Sequence, residues 1–180
     1  MSAPAPRPAT ATPLARLRGR LWSSLATWPD AAGWGYSLGV GAATLAAMGA
    51  LGLSTGLYVP HPAHLAGLAM RLLTVLIAPA FCEEAVFRGL LVPGRMETPR
   101  PAMPLTLAVF VFVVWHMLEA ETFLVRAGPV FERPDFLACA AILGVGCGLI
   151  RWRTNSLWPA VALHWLMVTL WQTWLGGFIL

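Results

Sequence analysis

The 180-residue sequence is 58% hydrophobic and 11% charged, and its net charge of +4 comes from twelve arginines and no lysine. Soluble domains carry about 25% charged residues, so a water-soluble globule is excluded and a bilayer is the expected solvent. The arginines are scattered, without a basic patch interleaved with aromatics, which excludes a nucleic-acid partner.

Residues 1–13 are rich in Pro, Ala and Thr and are expected to be disordered. Leu14 to Trp28 follows, with Arg16, Arg18 and Arg20 beside Trp22 and Trp28, the composition of an interfacial helix or basic anchor. No apolar h-region precedes it, so no cleavable signal is expected. This divides the chain into a basic N-terminal segment, 1–32, and a membrane-embedded domain, 33–180.

A hydrocarbon core about 30 Å thick needs roughly 20 apolar helical residues. Five segments meet or approach that length: about Gly33–Val59, His64–Val92, Met103–Val125, Phe136–Ile150 and Leu157–Leu180. The fold expected is therefore an all-α polytopic bundle of about five spans. The first span is rich in Gly and Ala, which permits close helix contact. The second is interrupted by Arg71, Pro79, Glu83, Glu84 and Arg88. The fourth is short and is expected to tilt or to be extended by its flanks.

With the N-terminus in the cytoplasm, that side holds Arg7, Arg16, Arg18, Arg20, Arg95, Arg100, Arg151 and Arg153. The opposite side holds Arg126 and Arg133 beside Glu119, Glu121, Glu132 and Asp135. The positive-inside rule then gives an N-in, C-out topology.

Ionisable groups inside a span are costly and therefore paired, cavity-facing or both. Glu84 and Arg88 stand at i and i+4 in the favourable order, acid before base, and can neutralise each other. Glu83 is turned about 100° away and has no local partner. The partners available are His116 and His164, each flanked by apolar residues. Counted from the cytoplasmic face, Glu83 lies about 13 Å deep, His164 about 10 Å and His116 about 20 Å. These depths allow one polar pocket in the cytoplasmic half or near mid-membrane. Glu83 could take a proton from water attacking a peptide carbonyl, with both imidazoles stabilising the oxyanion or orienting the water. Alternatively, Glu83, His116 and His164 form a metal-binding set, with zinc the candidate ion. Glu84 would then have to act as base, and its pairing with Arg88 argues against that. A metal-free mechanism needing no cofactor is therefore preferred.

Three strings carry a resemblance: EExxxR at Glu83–Arg88, FxxxH at Phe112–His116, and Leu157-Trp158-Pro159-Ala160 leading into His164. Together, in order and on membrane helices, they resemble the CPBP (ABI) family of CAAX prenyl proteases and bacteriocin-processing enzymes, over about residues 65–175. The resemblance implies an intramembrane endopeptidase in which Glu83 activates water. It also implies that Glu84 and Arg88 form a supporting pair and that His116 and His164 polarise the carbonyl or hold the water. The partners implied are the bilayer and a membrane-protein substrate or a lipidated or C-terminally tagged peptide. The short chain resembles small bacterial members, which implies a bacterial inner (plasma) membrane. The family pattern has Asn or Asp four residues after the last histidine, where this sequence has Val168; Thr169 and Gln172 are the nearby substitutes. That departure supports the alternative of a non-proteolytic scaffold or immunity-like protein. A proton-coupled transporter is a third and weaker reading, since the five spans show no repeat.

Other polar residues read more simply. Glu119 is expected at the outer rim, with a role as partner of His116 as the alternative. Arg71 either snorkels outward or pairs with Glu83. His61 and His64 are expected to be exposed in a loop. Cys82, Cys139 and Cys147 show no CxxC spacing and read as buried small hydrophobes. Trp22, Trp28, Trp34, Trp152 and Trp158 suggest an aromatic belt. The glycines from Gly144 to Gly148 read as a helix-packing surface rather than a phosphate loop.

Overall fold

The computed structural model describes residues 12–63 and 65–178, so His64 and most of the stretch expected to be disordered lie outside the described residues. Helix α1, Pro13–Ala26, starts where the Thr12 hydroxyl accepts from Ala15 N and Pro13 supplies a pre-set φ at the first position. Helix α2, Ala31–Thr55, is capped by the Asp30 carboxylate, which accepts from Gly33 N at 2.7 Å. It ends at Gly56 with φ 71°, a conformation that suits a residue without Cβ.

The second membrane segment is built in pieces: α3 (Leu68–Val75), a π-helical stretch (Leu76–Phe81), α4 (Cys82–Glu84) and a second π stretch (Ala85–Leu90). Then come α5 (Ala102–Thr122), a short 3-10 turn (Val125–Ala127), α6 (Gly128–Phe131), α7 (Pro134–Thr154) and α8 (Trp158–Trp174). No strand occurs among the described residues. Helices α2, α5 and α7 are long and apolar enough to cross a membrane. The segmented helix and the 17-residue α8 run between the same two end faces, which makes the fold an all-α bundle of about five spans. Flanking residues 134–135 and 151–154 lengthen the fourth span to 21 residues.

The two faces sort as the arginine distribution requires. At one end Arg20 donates to the Leu90 carbonyl at 2.7 Å and pairs with Glu97 at 2.9 Å, while Arg95 N donates to Trp152 O and Trp152 Nε1 to Thr98 O. At the other end Val59 N and His61 N donate to the carbonyls of Leu175 and Trp174. Tryptophans 28, 34 and 158 cluster at the arginine-rich end, with ring centroids 5.6 and 6.5 Å apart.

Helix α7 is the hub, packed against α2, α5 and α8. Its small residues make this possible: a Cβ on Gly146 would run into the Thr44 side chain, and one on Gly148 into Leu105. Helix α1 lies against Ala85–Leu90, where Leu21 occupies the space a Gly89 side chain would need. The backbone carbonyls of Ser24 and Leu25 in α1 also accept from Leu157 N and Trp158 Nε1, at the entry to α8.

Candidate active site

The local sequence of the second segment places its charges. Pro79 has no N–H to donate, and the residue before a proline is disfavoured in the α region. Ala78 is accordingly extended, at φ −135° and ψ 119°, and the helix restarts beyond it. Wide π turns flank Cys82–Glu84, an irregularity frequent at functional sites. Glu83 and Glu84 are both buried, with 8% and 0% exposure, and they face different neighbours.

Glu84 looks toward α7 and α8. Its Oε1 accepts from His164 Nδ1 at 2.9 Å and lies 3.0 Å from Arg88 Nη1. The Arg88 contact is an ion pair by distance without hydrogen-bond alignment. The Arg88 guanidinium lies over the Phe112 ring, 4.1 Å from its centroid, a cation–π contact strengthened by the loss of water. Gly144 leaves room for it, since a Cβ there would stand 3.1 Å from Arg88 Nη2. The pairing expected from the i, i+4 spacing is thus present, and His164 joins it.

Glu83 looks the other way, into a cavity. Its Oε2 is buried with no hydrogen-bond partner, 3.8 Å from His164 Nε2. One donor atom each from Glu83, His116 and Glu119 lie within 4.8 Å of one another, and all three residues are buried. His116 Nδ1 donates to the Phe112 carbonyl at 2.9 Å; since a carbonyl only accepts, Nε2 of the neutral ring carries the free lone pair. The Trp115 indole N–H, also without a hydrogen-bond partner, belongs to the same wall. Of the residues named from sequence, Glu83, Glu84, Arg88, His116 and His164 therefore converge. Glu119, expected at the rim, is buried among them at 7% exposure. Its i+3 spacing from His116 was the available signal. Arg71 turns instead to Thr173 Oγ1 and the Ala66 carbonyl.

The cavity measures about 670 Å³, within the usual range for ligand pockets. Its wall is mostly apolar and runs from the polar cluster toward the face of the bundle bearing Tyr58, Leu124 and Phe131. The segmented helix packs on α5 through Ala85–Leu90, and Cys82, Val86, Val111 and Trp115 are among the residues of the two elements that line the cavity. Cys82, Val86 and Val111 are exposed on this flank, so Cys82 departs from the buried role expected of the cysteines, which Cys139 and Cys147 do fill. Val168, one turn beyond His164, lines the cavity, as does Gln172. The Gln172 amide nitrogen is engaged with the Phe178 carbonyl, and Thr169 is not part of the wall.

Carboxylates and imidazoles gathered at the inner end of an apolar, laterally open cavity define a polytopic membrane protein built for polar chemistry inside the bilayer. Residues 64–170 match the family model of type II CAAX prenyl endopeptidases, Rce1-like, and the chain belongs to that family. The assignment makes it a membrane-embedded protease acting on membrane-associated substrate. No curated protein and no solved structure compared with the chain matches it. The matched stretch contains Glu83, Glu84, Arg88, His116, Glu119, His164 and Val168.

Proposed function

We propose that the protein is an intramembrane endopeptidase of the glutamate type. Glu83 takes the proton of a water that attacks the scissile carbonyl, and the Nε2 lone pairs of His116 and His164, as acceptors, orient that water. Glu84 and Arg88 hold His164 from behind. The observation that carries this reading is Glu83 Oε2: buried, unpartnered, at the cavity wall and 3.8 Å from His164 Nε2, so one water can touch both. Cleavage by the purified protein in lipid, wild type against Glu83→Gln, tests it. Loss of a defined product with the fold retained supports the role, and equal products from both refute it.

The apolar wall and lateral flank suit a segment of a membrane protein or a lipidated, C-terminally tagged peptide, entering from the bilayer with its cleavable part unwound. The arginine-rich face supports an N-in orientation in a bacterial plasma membrane. Two further readings have their own observations. The juxtaposed donors of Glu83, His116 and Glu119 favour a metal-assisted mechanism, which a chelator would stop. Val168 at the place of a polar family residue favours a scaffold without turnover, for which Glu83→Gln would be silent.

A further inference from the structure

We infer that the indole N–H of Trp115 is the donor that receives the oxyanion in this site, which makes Trp115 a further catalytic residue. The inference rests on the glutamate-type reading above, which supplies a base and two acceptors but no donor. His116 Nδ1 is committed to the Phe112 carbonyl and His164 Nδ1 to Glu84, so both rings turn a lone pair toward the water. Val168, at the place of a polar family residue, donates nothing. Negative charge that develops on the scissile carbonyl oxygen in a water-poor cavity calls for a fixed donor.

The cavity wall narrows the choice. Among its described residues there is no Ser, Thr, Asn, Lys or Arg side chain. Arg88 lies over the Phe112 ring and is not part of the wall. The Gln172 amide nitrogen is engaged with the Phe178 carbonyl. Trp171 is seven residues past His164 on α8, about 10 Å along the axis. Trp115 adjoins His116 in the chain, and its indole nitrogen can donate but not accept. A buried indole N–H ordinarily has a partner. This one is buried and stands beside the Glu83 and Glu119 carboxylates without an aligned hydrogen bond to either. Phe87 and Phe123 pack on the ring, with centroids 6.2 and 5.7 Å away, so the N–H is fixed before substrate arrives.

In the step proposed, the water oxygen bonds to the carbonyl carbon as Glu83 takes one of its protons. The C=O π pair moves onto the oxygen, which accepts from Trp115 Nε1–H. On collapse the C–N bond breaks and Glu83 returns its proton to the leaving amine, so the indole is unchanged over the cycle.

The test uses the purified full chain in lipid nanodiscs and a dodecyl trifluoromethyl ketone, which adds water to give a tetrahedral hydrate read by fluorine NMR. Isotope-labelled tryptophan reports the indole protons, and Trp115→Phe assigns the resonance. In a second variant the Trp115 indole is replaced by benzothiophene, which keeps the ring outline and puts sulfur in place of N–H. Wild type is expected to hold the hydrate and to show the Trp115 proton moving downfield. The benzothiophene variant, with its thermal midpoint unchanged, should bind the hydrate at least about tenfold more weakly. On any peptide that the wild type cleaves, its kcat should fall about 10²-fold with KM unchanged. Equal hydrate affinity in that variant overturns the inference. So does weaker binding when the wild-type indole proton does not move, which assigns Trp115 to holding Glu83. Glu83→Gln separates the two readings. If it alone abolishes the hydrate, the glutamate-type site stands without Trp115. If only the benzothiophene variant loses the hydrate, the Trp115 donor stands and Glu83 is not the base. A wild type that holds no hydrate overturns both.

Discussion

His164 Nδ1 donates to Glu84 Oε1 across 2.9 Å, joining residues 80 positions apart on two different helices. The same carboxylate lies 3.0 Å from Arg88 Nη1, so a single oxygen is shared by a cation and an imidazole. With that nitrogen occupied, His164 presents Nε2 toward Glu83.

Glu84→Gln should therefore act on stability before chemistry. It leaves the Arg88 guanidinium, 1% exposed, without its counter-charge. Removing one partner of a buried pair costs about 3–5 kcal/mol. Thermal unfolding in detergent should show a markedly lower midpoint for Glu84→Gln than for Glu83→Gln.

Glu83→Gln should keep the fold and lose turnover by about 10²–10⁴-fold, the usual contribution of a general base. The check is kcat on a substrate that still binds. A fall in substrate affinity with kcat intact would assign Glu83 to binding instead.

Much of this was legible in the sequence. Five apolar segments and the arginine asymmetry gave the bundle, because span length and loop charge are set by the bilayer and not by tertiary detail. The i, i+4 spacing gave the Glu84–Arg88 pair, and the absence of a local partner singled out Glu83. Glu119 was legible as a site residue only as an alternative, through its i+3 spacing from His116. Its depth depends on where α5 ends, and a carboxylate near a helix end looks the same whether it faces headgroups or a cavity. The Ala78 break was visible only as a proline in the span, since sequence does not say whether a proline kinks a helix or interrupts it. The partner of Arg71 depended on the α8 end, which no local pattern encodes.

Val168→Asn should raise turnover. The side chain lines the cavity one turn beyond His164, where an amide could donate to a developing oxyanion. Loss of such a donor elsewhere costs about 10²–10³-fold, so a gain of about tenfold or more in kcat is expected. No gain in a folded variant would mean that the oxyanion forms elsewhere.

Gly146→Ala should destabilise the bundle more than Gly144→Ala. The added methyl meets the Thr44 side chain in the first case, whereas in the second its nearest neighbour is Arg88 Nη2 at 3.1 Å. Overpacking costs about 1–3 kcal/mol, and the unfolding midpoints of the two variants provide the comparison.

Helix α1 touches both arms of the candidate site: it lies on the stretch just after Glu84 and is bonded to the entry of the helix carrying His164. It is thus a crossbar between two site-bearing elements. Arg16, Arg18 and Trp22 are exposed along it. Glu83 and His164, carried by separate elements, are thus referenced to one common brace.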